Sequence, residues 1–272
     1  MTLLHTPHAT IAYDQRGNPD GVPLVLLPSG AHERSDYREL RELLPERLRT
    51  IALDWPGHGE SPDPDGDWSA MRLADVAEAA VAQLAPEGAI VLGNSVGGYA
   101  AARLAIRRPE LVKGLVIIDG GGFTGAPPHV RAFCSLMSHP RFLRGIYPLF
   151  SFMYMRPRTD ADRRARAGAI ATTRRERSAR VICGMWGSFS SPEHDLREQA
   201  GTITAPALVV WGRRDPVIPL SAARRIAAAI SGSRLLVLPT GHVPYTTDPS
   251  AVAAELAAFA ESLTPLSAAS PS

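Results

Sequence analysis

Apolar positions along the chain fall into two kinds of run. Short continuous stretches at residues 24–28, 50–54, 89–93 and 115–119 have the length and composition of strands buried on both faces. Between them, residues 38–48 and 70–84 repeat apolar side chains every three or four positions, which predicts amphipathic helices. The alternation returns late in the chain, with strands expected at 207–212 and 234–239 and helices at 221–230 and 251–263. Strand and helix taking turns in this way predicts an α/β fold, in which helices cover both faces of one mostly parallel sheet. The pattern is lost between residues 123 and 200, so that segment reads as an insertion into the core. The expected organisation is a core in two parts, 1–122 and 201–263, an insertion at 123–200, and a short polar tail at 264–272 that frays.

Composition changes this picture little. An apolar fraction of 45% over 272 residues is enough for a sizeable core, and a net charge of +2 excludes global disorder. Cys134 and Cys183 are too few for a disulfide framework and match no zinc spacing, so both are expected to be buried thiols. The absence of an 18-residue apolar run argues against a membrane span. Residues 1–5 lack the basic and apolar regions of a secretory signal, so the expected location is the cytoplasm. The basic residues are 28 Arg against the single Lys113, a bias of base composition rather than a sign of a nucleic-acid partner. Charge is nonetheless uneven, because residues 123–200 hold 13 Arg against 6 acidic residues. A second copy of the chain is the protein partner left open.

The sharpest chemical signal is Gly93-Asn94-Ser95-Val96-Gly97, which follows a predicted strand and precedes a helical run. In that context Gly-x-Ser-x-Gly is a nucleophile elbow: a strained turn lifts the Ser95 hydroxyl above the sheet, and the following helix start aims the Val96 amide at developing negative charge. Serine is a weak nucleophile and needs a base. Of the eight histidines, His242 stands in Gly241-His242-Val243, directly after the last predicted strand, where a loop returns it to the sheet edge. The others are expected to be structural or superficial, including His32, which reads as solvated. A carboxylate must orient the base, and two stand at strand ends: Asp215 after 207–212 and Asp119 after 115–118. Asp215 is preferred, because Asp119 runs straight into Gly120-Gly121-Gly122.

These motifs, in this order, resemble the α/β-hydrolase superfamily. Leu27-Pro28-Ser29-Gly30-Ala31 stands where members carry a His-Gly oxyanion loop, with Ser29 in place of the usual histidine. Asp54-Trp55-Pro56-Gly57-His58-Gly59-Glu60-Ser61 is similar to the family's Asp-x-x-Gly-x-Gly-x-Ser turn. The resemblance implies a Ser95–His242–Asp215 triad, an oxyanion hole from the amides of Ala31 and Val96, and no metal or organic cofactor. It makes His58 a turn residue and 123–200 a helical cap. Phe133, Met137, Phe142, Tyr147, Phe150, Phe152, Met153, Tyr154, Met155, Met185, Trp186 and Phe189 give that cap an apolar character; most are expected to pack its helices and the rest to line a pocket. The pocket residues expected are Gly30, Phe152, Trp186, Phe189 and Val243. The implied activity is cleavage of an ester-like acyl bond of a small, largely apolar substrate through an acyl-enzyme. Carbon–carbon bond hydrolysis of vinylogous diketones, a lyase or oxygenase reaction, and a ligand receptor are the alternatives on the same fold.

Overall fold

The computed structural model describes residues 2–263, so the expectation for the tail at 264–272 lies outside the described residues. The chain opens with two strands that the hydrophobic pattern did not reveal, β1 (Thr2–His5) and β2 (Thr10–Arg16). Both pair antiparallel at one edge of the sheet, β1 with β2 and β2 with β4. There follow β3 (Val22–Leu27), α1 (Arg38–Leu43), β4 (Leu48–Leu53), α2 (Ala70–Leu84), β5 (Ala89–Asn94), α3 (Val96–Arg107) and β6 (Val112–Ile118). Four helices come next: α4 (Pro128–Met137), α5 (Pro140–Met155), α6 (Asp160–Arg174) and α7 (Glu176–Ser188). The chain then returns through β7 (Ala207–Gly212), α8 (Leu220–Ala229), β8 (Arg234–Leu238), α9 (Pro244–Thr247) and α10 (Pro249–Leu263).

The eight strands form one sheet in the order β1-β2-β4-β3-β5-β6-β7-β8, parallel from β4 to β8. The strand runs predicted from continuous apolar sequence are its interior: 24–27, 89–92, 115–118 and 207–211 are buried throughout. One predicted helix is corrected. The 38–48 pattern is helical only to Leu43, because Pro45 disfavours helical backbone at Leu44, which is extended at ψ 146°, and Leu48 already belongs to β4.

The topology decides where chemistry can occur. The chain runs from β3 outward to β4 and then back across to β5, so the order reverses between β3 and β5. The loops leaving the carboxyl ends of these two strands therefore diverge and open a crevice between them. Residues 28–31 leave β3 there, and Ser95 leaves β5 beside them. Four helices, α4 to α7, lie between β6 and β7 in sequence.

Candidate active site

Ser95 joins β5 to α3 with φ 58° and ψ −115°, a left-handed backbone that a residue with a side chain adopts only when its surroundings impose it. The surroundings are the two glycines of the motif. A methyl group on Gly93 would fall 2.0 Å from the Gly97 carbonyl oxygen, and one on Gly97 would fall 2.2 Å from that of Leu27. The turn is thus as tight as the elbow reading requires. The backbone is also held from across the sheet, since the Ser95 N–H donates to Ile118 O at 3.0 Å and the Gly121 N–H donates to Ser95 O at 2.9 Å.

The loop after β3 is fixed by its carbonyls. Trp55 Nε1 donates to Pro28 O at 2.8 Å, and the His32 N–H donates to Ser29 O at 3.1 Å. His58 is fully buried, with its ring nitrogens 3.0 Å from Pro56 O and 2.9 Å from Gly30 O. Burial holds its pKa below the usual imidazole range, so a neutral ring donates to one of these carbonyls at a time. Asp54 closes the turn by accepting from the Arg34 N–H at 2.8 Å and the Glu60 N–H at 3.1 Å, and it also pairs with the Arg34 guanidinium. The Asp54–Ser61 stretch shapes a turn beside the crevice, as the motif implied.

Asp215 and His242 meet after β7 and β8. His242 Nδ1 donates to Asp215 Oδ2 at 2.7 Å, with both side chains buried. The other carboxylate oxygen is engaged as well, because the Val217 N–H donates to Asp215 Oδ1 at 2.7 Å. The Asp215 bond fixes the proton on Nδ1 and leaves Nε2 as the basic nitrogen. The hydrogen bonds of the described residues include none from the Ser95 hydroxyl to His242, a contact that in free enzymes often closes only with substrate bound.

Asp119, the other candidate acid, is fully buried behind this pair at φ 42°. The Gly212 N–H points at both its oxygens, at 3.0 and 3.3 Å. Burial, and then the neighbouring Asp215 charge, push its carboxyl well above the usual carboxylate range. Asp119, Asp215 and His242 place donor atoms within 4.8 Å of one another. With two backbone N–H groups aimed at the carboxyl oxygens and Nδ1 given to Asp215, the trio is built for proton sharing rather than for a cation.

Sequence reasoning missed Asn94. Its amide donates to Ile118 O and to His242 O, both at 3.0 Å, and its carbonyl accepts from Tyr245 at 3.4 Å. It ties the elbow to the loop that carries the histidine. Its only sequence signal was a polar residue in an otherwise apolar strand end. His32 is a correction: far from solvated, it is 1% exposed and bonded through both ring nitrogens, to Asp36 Oδ2 at 2.7 Å and to Tyr154 Oη at 2.9 Å.

The expected pocket residues divide. Gly30 is covered by a residue of α7, since a methyl group there would fall 2.5 Å from Met185 Sδ. Phe189 lies against Gly121, beside the Ser95 carbonyl, and Val243 is buried next to His242. Trp186 packs edge-on against Phe133, with ring centroids 5.4 Å apart, and is half-buried. Phe152 is a correction. It is 56% exposed, on the face of α5 opposite Tyr147, Ser151 and Tyr154, with the Arg166 guanidinium 5.7 Å from its ring centroid. Phe142 and Met153 are exposed too, whereas Met137, Tyr147, Tyr154, Met155 and Met185 are buried. Cys134 and Cys183 are buried thiols with pKa values pushed up to about 11 by burial. Among the described residues no helix is long and apolar enough to cross a membrane.

The fold has known counterparts. A pimeloyl-[acyl-carrier protein] methyl ester esterase of Yersinia pestis is 27% identical over 246 residues, covering 88% of this chain and 93% of its own length. The crystal structure of a hydrolase from Pseudomonas aeruginosa superimposes with a TM-score of 0.82 at 26% identity, over 95% of this chain and 97% of that one. The enol-lactonase of Burkholderia xenovorans shares the fold, with a TM-score of 0.79 at 20% identity over 96% of this chain and all (100%) of its own. The model of the alpha/beta hydrolase family matches residues 24–255, and the chain belongs to that family.

Proposed function

We propose that the protein is a serine hydrolase that cleaves an ester-like acyl bond, in an ester or a lactone, of a small and largely apolar substrate. The observation that carries this reading is the buried 2.7 Å hydrogen bond from His242 Nδ1 to Asp215 Oδ2, at strand ends adjoining the left-handed Ser95 turn. In the proposed cycle Ser95 Oγ attacks the carbonyl carbon while His242 Nε2 takes the hydroxyl proton. Asp215 holds the tautomer and stabilises the imidazolium. The negative charge that develops on the carbonyl oxygen is met by the amides of Ala31 and Val96. His242 then protonates the leaving group, and a water that it deprotonates hydrolyses the acyl-enzyme.

The substrate class rests on two further facts. Relatives named as a methyl ester esterase and an enol-lactonase both act at an acyl carbon bearing oxygen. The side chains near the elbow, Met185, Phe189 and Val243, are apolar. The alternative of carbon–carbon hydrolysis asks for an arginine to hold a substrate carboxylate. Arg144, Arg163, Arg164, Arg166, Arg175, Arg177, Arg180 and Arg197 bond acids or carbonyls of the protein itself, so that role would fall to Arg131, Arg141, Arg156, Arg158 or Arg174. We read residues 123–200 as a helical cap that supplies the apolar wall.

The test is labelling with a fluorophosphonate, followed by hydrolysis of p-nitrophenyl esters of increasing chain length and of simple lactones. A single adduct on Ser95, and loss of both labelling and hydrolysis in Ser95→Ala, are expected. An adduct on another residue, or esterase activity that survives Ser95→Ala, overturns the assignment.

A further inference from the structure

We propose that Tyr154 is a positioning residue for acyl transfer: one residue on the inserted helix α5 that, through its backbone carbonyl and its hydroxyl, fixes both the loop carrying the base and the loop carrying the oxyanion amide. The proposal rests on the serine-hydrolase reading and goes beyond it, by making the inserted helices part of the assembly of the site rather than a cover over it.

Four contacts of Tyr154 carry it. Its backbone carbonyl accepts the His242 N–H at 2.8 Å, and its ring stands edge-on to the His242 ring, centroids 5.7 Å apart at 85°. Its hydroxyl lies 2.9 Å from His32 Nε2 and 2.8 Å from the Tyr147 hydroxyl. His32 directly follows Ala31, and its ring is held from the far side by Asp36 Oδ2 at 2.7 Å from Nδ1. Tyr147, Tyr154 and His32 are all buried, so water does not replace a lost link at no expense.

The Asp36 carboxylate only accepts, so His32 Nδ1 carries a proton toward it. On the other side of the ring the Tyr154 hydroxyl closes the link at Nε2 and meets the Tyr147 hydroxyl. Burial pushes the Tyr154 hydroxyl well above the ordinary phenol range, so it keeps its proton. The backbone half of the arrangement is independently pinned. Buried Asp162 accepts from Thr246 Oγ1 at 2.7 Å and Thr247 Oγ1 at 2.8 Å, tying the start of α6 to the helix that follows His242.

Tyr154→Phe keeps the ring and the backbone bond but removes the hydroxyl, leaving His32 Nε2 without its partner. Tyr147→Phe removes the outermost hydroxyl of the same chain and leaves the Tyr154–His32 link intact, so it is the control for a purely structural role. The experiment measures kcat and KM on a short p-nitrophenyl ester, the rate constant of fluorophosphonate labelling at Ser95, and Tm. For Tyr154→Phe we expect kcat and the labelling rate to fall together by about tenfold, inside the roughly hundredfold loss that a misplacement of about 1 Å can produce, with KM within about twofold. Tyr147→Phe should lower Tm to a similar extent yet keep both rates within about twofold, because the link next to the oxyanion loop survives. His32→Gln breaks the same link from the other side and stands in if Tyr154→Phe does not fold. Wild-type rates in Tyr154→Phe, or equal losses in the two tyrosine variants, overturn the proposal while leaving the serine-hydrolase reading intact. Failure of the wild-type protein to label at Ser95 overturns both.

Discussion

Asp119→Asn is the substitution whose outcome the structure fixes most tightly in sign. Asp119 sits at φ 42°, a backbone that asparagine tolerates as well as aspartate does. Asn keeps an oxygen for the Gly212 N–H and places an amide N–H where a carboxylic acid would carry its proton. What it removes is an ionisation. In the folded protein, burial and the Asp215 charge raise the Asp119 pKa well above its unfolded value of 3.8. A group raised in this way contributes stability that is fully present below the unfolded pKa and is lost as pH climbs through the folded one. The loss is about 1.4 kcal/mol for each pH unit between the two values. The variant has no such loss. Each pH unit of that slope corresponds to roughly 3–6 °C in Tm for a chain of this size. Tm measured by circular dichroism at matched ionic strength from pH 4 to 9 should therefore show variant and wild type together at the acid end, with the variant pulling ahead as pH rises. Other titrations common to both proteins cancel in the difference. A constant offset, or a variant that falls behind as pH rises, refutes the reasoning.

Two further outcomes follow from the same geometry. Asp215→Asn removes the acceptor that fixes the His242 tautomer at 2.7 Å, and should depress kcat by about 10⁴, the size of this effect in the serine-protease example, while Asp119→Asn stays within about tenfold of wild type on the same ester. Phe189→Ala should change the preference among ester chain lengths, whereas Phe152→Ala, on the exposed face of α5, should leave the preference unchanged and stability within about 0.5 kcal/mol; matched changes in the two variants contradict the placement.

What the sequence disclosed depended on how local the cause was. β3, β5, β6 and β7 are parallel strands buried on both faces, so their apolar runs announced them. β2 ends in Asp14-Gln15-Arg16, a polar end that reads as loop; Asp14 is accommodated because Arg34 and Arg41, distant in sequence, reach it. Ser95, His242 and Asp215 stood out because each belongs to a short motif at a strand end. Asn94, His32 and Tyr154 did not, because their contacts span 148 residues from Asn94 to His242 and 122 from His32 to Tyr154. Phe152 was placed on the wrong side for a related reason. α5 is apolar around much of its circumference, with Leu149, Phe152 and Met153 exposed, so its composition gives no clue to which face meets the core.

The inserted helices are tied to the core at several loops that shape the crevice. Ser178 Oγ donates to Gly57 O at 2.6 Å and Arg177 to Gly59 O at 3.0 Å, which fixes α7 to the Asp54–Ser61 turn. The Ala70 N–H donates to Ser188 Oγ at 2.9 Å, fixing the end of α7 to the start of α2. Tyr154 and Asp162 hold the loop around His242, and Tyr154 also reaches His32 beside Ala31. Lifting the segment as one body breaks all of these bonds together, each worth about 1 kcal/mol net and more where a buried partner is stranded. Turning a side chain costs far less, and the side chains standing over the reactive loops are the unbranched Met185 above Gly30 and Phe189 beside Gly121. On the proposed serine-hydrolase reading, access to Ser95 is set by these two residues, on a frame that the hydrogen bonds keep still. Chain-length preference should follow Phe189 for that reason, while variants that cut the frame, Tyr154→Phe among them, should act on turnover instead.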